Sequence, residues 1–244
     1  MVMRGWRARL GFLIPPGNPT VEPEMNAMAP PGVSVHVSRL FTRDAGGGVH
    51  EGQEERTRSQ IAHIDEPVRL LAMARPNVIV LAHTATSYAL GRSAEAELVQ
   101  RLEARHRIPF ATAFGSVAAA LDRLGVKRVA LGTPYSEAIT LAGKAHLEEC
   151  GFDVINYGRL ENVRDIYEET PERAYQLGRA VDRPTAQAIF LSGTGMPTIS
   201  ILEVLERDLG KPVISAASAM MWQALRSAGI DPTRPGYGRL LQLP

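Results

Sequence analysis

The side chains able to do chemistry gather in four short segments, each directly after an apolar run. These are IPPGNPTVEPE (14–24), LAHTATSYALG (81–91), LGTPYSE (131–137) and LSGTGMPTI (191–199). Residues that follow the strands of a parallel sheet lie at its carboxyl edge, where such sheets bind ligands. Hydroxyl, amide and imidazole groups, together with free backbone N–H groups, are ordinary partners of a carboxylate or an oxyanion. The four segments therefore predict a site for an acidic small molecule.

The first and fourth segments are suited to binding. Pro16 and Gly17 belong to a sharp turn, and Asn18 adds an amide donor. In the fourth segment, Gly193, Thr194 and Gly195 let the backbone approach a ligand and present adjacent N–H groups. Plain strand-to-helix turns are the alternative for both segments. The spacing is not GxGxxG, so a dinucleotide site is not expected.

The second and third segments contain the candidate catalytic groups. His83, Thr84 and the Ala85 N–H follow a buried strand, and Tyr135 follows another. An imidazole titrates near pH 6.5 and can act as an acid or a base, while a phenol can donate to an oxyanion. The alternatives are a hydrogen-bonding wall role for His83, helix capping by Thr84 and half-buried packing of Tyr135.

The composition excludes several kinds of chemistry. The 244 residues include one cysteine, Cys150, which rules out an intrachain disulfide, a CxxC zinc site and a mechanism with two thiols. Motifs of the HExxH, GxSxG and P-loop types are absent from the sequence. His50, in GGGVHEG (46–52), is interpreted as a residue of a mobile surface loop.

The charge balance and the apolar runs exclude two kinds of partner. A net charge of +1 gives no basic field for nucleic acid or an anionic membrane surface. The longest apolar stretches run for about eight residues, against roughly 20 for a membrane span, and no export signal is seen. We therefore expect no nucleic acid partner and no membrane partner, and we expect a cytoplasmic location.

Short apolar runs alternate with longer amphipathic segments along the chain, which predicts an α/β protein with parallel sheets. The predicted strands are 8–14, 33–40, 77–82, 109–112, 128–132, 153–157, 186–192 and 212–215. The predicted helices are 53–74, 93–106, 116–124, 136–150, 171–181, 198–209 and 218–228.

The chain also repeats itself. Segments 8–16, 77–86 and 108–125 resemble 127–135, 187–196 and 211–229, in the same order and at offsets of about 100 to 120 residues. This predicts two pseudo-symmetric halves, each a four-stranded parallel sheet flanked by helices, with the site in the cleft between them. The general likeness of α/β units is the alternative. Because the third block follows the core of each half, we expect an exchange. Residues 1–112 plus 212–244 would form the first half, and residues 113–211 would form the second.

These segments, in this order, resemble the aspartate/glutamate racemase superfamily, above all its maleate isomerase and arylmalonate decarboxylase branch. The terminal RPGYGRL (234–240) adds to a likeness that covers nearly the whole chain. The resemblance implies the two-halved fold, a small carboxylate substrate and no metal or organic cofactor. It also implies a homo-oligomer, since family members commonly form dimers or larger assemblies. Asn18 and nearby amides would hold a substrate carboxylate, and Tyr135 would have an oxyanion role.

The sequence departs from this family at its two catalytic cysteines. Family racemases and isomerases use one thiol from each half, and the decarboxylase keeps the second. Here the two positions hold His83 and Gly193. We therefore expect Thr84, the Ala85 N–H and Tyr135 to hold a carboxylate or enediolate, with His83 as the acid/base.

The leading hypothesis is thus a cofactor-independent enzyme that acts on a small carboxylate or dicarboxylate through an enolate-type intermediate, as a decarboxylase or other lyase. One alternative is a racemase or cis–trans isomerase with non-thiol acid/base groups. The other is a catalytically inactive carboxylate-binding protein.

Overall fold

The computed structural model describes residues 5–41 and 52–243. His50 and nearly all of the segment 46–52 lie outside the described residues. The described strands are β1 (Ala8–Ile14), β2 (Val33–Arg39), β3 (Val78–Leu81), β4 (Phe110–Thr112), β5 (Arg128–Thr133), β6 (Asp153–Arg159), β7 (Ala188–Leu191) and β8 (Val213–Ser215). The helices are α1 (Val21–Met28), α2 (Gln53–Ala62), α3 (Asp65–Ala72), α4 (Thr84–His106), α5 (Ala113–Arg123), α6 (Glu137–Glu149), α7 (Pro171–Val181), α8 (Leu202–Leu209) and α9 (Ala216–Ser227).

The strands form two parallel four-stranded sheets, ordered β2-β1-β3-β4 and β6-β5-β7-β8. The inner strands β3 and β7, with sequences VIVL and AIFL, are buried along their whole length, because helices cover both faces of a parallel sheet. The predicted fold class is therefore confirmed, and the identical strand order in both sheets matches the repeat in the sequence.

Helix α1 was not predicted, α8 begins four residues after its predicted start, and two other helices differ more strongly from their predicted extents. The predicted helix 53–74 is two helices, because Pro67 has no backbone N–H and fits only the first turn of a new helix, α3. Helix α4 begins at Thr84, nine residues before the predicted start, and bends at Gly91, where φ is +72°. The segment 81–91, which precedes the predicted helix 93–106, therefore contains the first turns of the helix, and the Thr84 and Ala85 N–H groups lie at its start.

The C-terminal segment connects the two halves. Strand β8 pairs with β7 in the second sheet, whereas α9 packs on α1, β3 and β4 of the first half and on α5. The predicted boundary at residue 212 thus assigns to the first half a strand that pairs in the second sheet. Phe12, Phe190 and Trp222 share one buried cluster, so the core is continuous across the halves.

Candidate functional site

A cavity of about 730 Å³ lies where the carboxyl ends of strands from both sheets meet. This volume falls within the usual range for small-molecule sites, roughly 300–1,000 Å³. Its lining comprises Pro15, Pro16, Gly17, Arg56, Thr57, Gln60, His83, Pro134, Tyr135, Ser136, Arg159, Leu160, Asn162, Val163, Arg164, Asp165, Ile166 and Tyr167. Pro16, Gly17, His83 and Tyr135 were predicted as site residues, and all four are on this wall.

His83 stands between β3 and α4, in extended backbone conformation, with 8% of its surface exposed. Its Nδ1 lies 3.0 Å from Thr86 Oγ1, which leaves Nε2 for a ligand. Burial, and to a smaller extent the charge of Arg56, lowers the pKa of His83 from 6.5 to about 4. The imidazole is therefore neutral at pH 7 in the ligand-free protein and has the protonation state of a base.

A pair of hydroxyl groups joins the two halves beside His83. Thr84 Oγ1, at the start of α4, lies 2.8 Å from the phenolic oxygen of Tyr135, which follows β5. Burial raises the pKa of Tyr135, so its phenol stays protonated. The Tyr135 ring meets Tyr88 edge-on, with centroids 6.5 Å apart, which fixes its position. The first N–H groups of α4, including that of Ala85, lack partners within the helix. Together these donors can stabilise an oxyanion.

The predicted amide donor Asn18 connects the halves in this structure. Its Oδ1 accepts the N–H groups of Thr20 and Val21 at 2.9 and 3.0 Å, and its Nδ2 donates to the Thr194 carbonyl at 3.2 Å. Thr194 Oγ1 in turn donates to the Ala82 carbonyl at 3.0 Å. Asn18 and Thr194 thus hold the strand-end segments together, and their assignment to substrate stays a prediction.

Gly193 has no room for a side chain. Its φ is +98°, and a Cβ built there would lie 2.8 Å from Pro134 Cγ and 3.5 Å from the Tyr135 oxygen. A Cβ under 3.0 Å from ring carbon atoms would force the loop to move. The position that corresponds by resemblance to the second family cysteine is therefore shaped for glycine.

The sequence reasoning missed Tyr167, whose ring lies between Gly17 and Gly195. A Cβ on Gly17 would be 3.2 Å from Tyr167 Cε2, and one on Gly195 would be 2.9 Å from Cε1. The Asp165 carboxylate accepts the Tyr167 N–H at 2.9 Å and fixes the turn that carries the ring. The ring thus covers backbone that was predicted to bind substrate. No motif in the sequence marks this residue.

Helix α2 contributes Arg56, Thr57 and Gln60 to the wall, and these were also missed. They belong to a segment that reads as an ordinary polar helix. Thr57 and Gln60, two uncharged polar residues spaced as neighbours on one helix face, were the available signal in the sequence. Both side chains are buried in the structure.

Cys150 lies at the far end of α6, whose first residue follows the site. Thirteen helical residues span about 20 Å, so this thiol is remote from His83 and Tyr135. Burial raises the pKa of Cys150, which disfavours the thiolate. Among the described residues there is no group of three His, Cys, Asp or Glu side chains able to hold a metal ion, and none of the helices is long and apolar enough to cross a membrane.

The sequence model of the arylmalonate decarboxylase family matches residues 10–241. Maleate isomerase of Nocardia farcinica is 30% identical, with 96% of this chain and 95% of that protein covered. Arylmalonate decarboxylase of Bordetella bronchiseptica is 29% identical, with 95% of each covered. Among solved structures, a Nocardia farcinica maleate cis-trans isomerase mutant with a covalently bound succinylcysteine intermediate superposes with a TM-score of 0.84. It is 27% identical, with 96% of this chain and 98% of that chain covered.

Proposed function

Because the chain belongs to the arylmalonate decarboxylase family, we propose that it converts a small carboxylate or dicarboxylate through an enolate-type intermediate, in a decarboxylation or related lyase reaction. The observation that carries this proposal is the Thr84–Tyr135 hydroxyl pair, which lies across the halves and beside His83. The relatives of this chain include an arylmalonate decarboxylase and a maleate isomerase, and both are named for acids that carry carboxylates.

In the proposed decarboxylation, the bond between the α-carbon and one carboxylate breaks and carbon dioxide leaves. The electron pair of that bond moves into the remaining carboxylate, which becomes an enediolate. The Thr84–Tyr135 pair, through its one free O–H, and the Ala85 N–H donate hydrogen bonds to the new negative charge, and such donors are preorganised for it because the fold already fixes them. The carbon then takes a proton and the carboxylate is restored.

We assign that proton to His83. The ligand-free imidazole is neutral, since burial and Arg56 lower the pKa of His83. A bound dianion favours the imidazolium, because an opposite charge nearby raises the pKa of a histidine. The complex can therefore hold the proton that the carbanion needs, and solvent recharges the ring after each turnover.

The same neutral imidazole supports a second candidate, a racemase or cis–trans isomerase that uses one base. In a racemase reaction His83 removes the proton of the carbon next to the carboxylate, the electron pair of that C–H bond moves into the carboxylate to give an enediolate, and the proton returns to the other face of the carbon. A cis–trans isomerisation of a double bond has no such proton to remove. It would instead need water or the imidazole to add to one carbon, allow rotation about the resulting single bond, and leave again. The Nocardia farcinica protein with a succinylcysteine intermediate uses a cysteine covalently. This chain has only Cys150, so neither candidate includes a covalent thiol step. The predicted cytoplasmic location and homo-oligomer stay predictions.

A screen of ligand binding followed by turnover assays tests the proposal. Dicarboxylates, aryl-substituted acids and amino acids are tested for a rise in Tm, since a ligand that binds the folded state stabilises it. Each acid that binds is then assayed for release of carbon dioxide and, in deuterium oxide, for exchange without net conversion. Carbon dioxide supports the decarboxylase, exchange alone supports the racemase, and conversion to the geometric isomer supports the cis–trans isomerase. Binding without any of these leaves an inactive carboxylate-binding protein.

The variant His83→Gln tests the acid/base role proposed for His83. We expect turnover to fall by about 10²-fold or more, because a positioned acid/base contributes about 10²–10⁴-fold, with the fold intact by circular dichroism. His36→Gln, on the edge strand β2, is the control and should keep full turnover. Undiminished turnover in the His83 variant would falsify the assignment.

A further inference from the structure

Helix α2 presents polar side chains to the cavity. The proposed acid/base and oxyanion steps do not involve these side chains. Arg56, Thr57 and Gln60 all line it, and the last two are almost fully buried. Residues 56 and 60 are one helical turn apart and lie on the same face of the helix. The helix thus forms a polar wall of its own on the cavity.

Gln60 has a side-chain oxygen that no hydrogen bond among the described residues uses. Its side chain is 5% exposed, and its Oε1 has no hydrogen-bond partner in the part of the chain that the structure describes. Buried polar atoms without partners are uncommon in native proteins. A terminal amide can turn about its last bond and offer either its oxygen or its two N–H groups. Gln60 is therefore suited to a ligand in the cavity.

Arg56 lines the same cavity as His83, and its positive charge lowers the pKa of the imidazole. A positive charge thus acts on the reacting region from the α2 side.

We infer that Arg56 and Gln60 bind the far carboxylate of a dicarboxylate whose near carboxylate lies at the Thr84–Tyr135 pair. The guanidinium offers two parallel N–H groups to a carboxylate, and the amide adds a third donor. A monocarboxylate of the same skeleton leaves these groups without a partner, which is how a polar site rejects an incomplete ligand. The inference rests on the proposed function only for the position of the near carboxylate.

Binding measurements with matched acids test this pair without requiring turnover. The probes are succinate against butyrate and phenylmalonate against phenylacetate, measured by calorimetry at constant ionic strength. We expect the protein to bind at least one dicarboxylate at least tenfold more tightly than its monocarboxylate partner. Arg56→Gln should weaken binding of that dicarboxylate at least tenfold and binding of the monocarboxylate less than twofold. The losses in Arg56→Lys should be intermediate.

Two further variants complete the test. Arg58→Gln removes the same charge from the exposed part of α2 and should leave both classes of acid unchanged. Gln60→Met keeps the length of the side chain and should weaken binding of the dicarboxylate only. Equal losses for both classes of acid, no loss in Arg56→Gln, or a protein that prefers no dicarboxylate would each overturn the inference. Selective binding without turnover would instead support the inference and contradict the proposed reaction.

Discussion

Two hydroxyl groups that share one hydrogen bond have one proton left to give, and this defines what Thr84 and Tyr135 can do together. Their oxygens are 2.8 Å apart, and Tyr135 lines the cavity, so we expect the pair to give its remaining proton to an oxygen of the substrate. Because burial raises the pKa of Tyr135, neither group is ionised at neutral pH. We therefore expect the pair to act as a donor and not as a base.

Tyr135→Phe removes this donor with little change of shape. We expect kcat to fall by about 10²–10³-fold, the usual cost of one oxyanion donor, with a smaller change in KM. Tyr157→Phe, which removes an exposed phenol that bonds Glu137, is the control for loss of a hydroxyl. A Tyr135 variant that changes KM alone would place the phenol in substrate binding and not in stabilisation of the intermediate.

Gly193 allows the backbone strain and the steric clash to be measured separately. In Gly193→Ala the new Cβ meets the Pro134 ring at 2.8 Å with φ at +98°, whereas in Gly125→Ala φ is +67° and nothing lies within 4 Å. Positive φ alone costs an alanine about 1–2 kcal/mol. We expect the Gly193 variant to lose at least about 1 kcal/mol more in free energy of unfolding, measured with urea, because overpacking adds to the strain. Equal losses would contradict the clash with Pro134.

At the scale of elements, the sequence predicted the strands better than the helices. A continuous apolar run such as VIVL or AIFL is enough to indicate a buried parallel strand, and both runs occupy central positions. The start of α4 was missed because its first turns read HTATSYALG, with hydroxyl side chains and a glycine that favour a loop. These turns become helical because packing between the halves buries Thr84, Ser87 and Tyr88, a contribution that local propensity does not include.

Helix α1 connects to the second half through Glu24, and this contact makes stability depend on pH. The Glu24 carboxylate accepts the N–H groups of Thr198 and Ile199 at 2.7 and 3.1 Å. Burial raises the pKa of Glu24 from 4.5 to about 7, although the two N–H donors lower it in part. The folded state therefore binds this proton more tightly than the unfolded state. The stability that Glu24 contributes is fully present below about pH 4.5 and is lost as pH rises through about 7.

Glu24→Gln keeps an acceptor for both N–H groups and removes the titration. We expect the variant to match the wild type near pH 4.5 and to be more stable above pH 7, by on the order of 1–3 kcal/mol. Urea unfolding at several pH values gives the difference in free energy of unfolding between the variant and the wild type. The titration of His83 does not affect this difference, because both proteins contain His83. A difference that stays constant with pH would contradict a titrating Glu24.

At the scale of the whole molecule, the sequence could predict only those site residues whose position depends on a single strand. His83, Thr84 and Tyr135 were predicted as site residues because each follows an apolar strand, and the carboxyl ends of parallel strands bind ligands. Arg56, Gln60 and Tyr167 reach the cavity from α2 and from the turn after β6, and their approach depends on how the halves pack. That packing buries surface from both halves at once, so no single segment of sequence shows it.

Interactions across the halves predict that the chain unfolds as one unit despite its duplicated fold. Helix α9 packs on both α5 and the first sheet, and His146 of α6 lies 3.0 Å from Glu95 of α4. The two tryptophans report on this directly, because Trp222 of α9 is 1% exposed and Trp6 is 59% exposed. In Trp6→Phe, fluorescence follows the docking of α9 alone. We expect its urea transition to coincide with that of far-ultraviolet circular dichroism, since coincident probes indicate a single cooperative transition. A fluorescence change that precedes the loss of helical signal would instead show that α9 leaves the first half while the sheets persist, and that the halves are separable units.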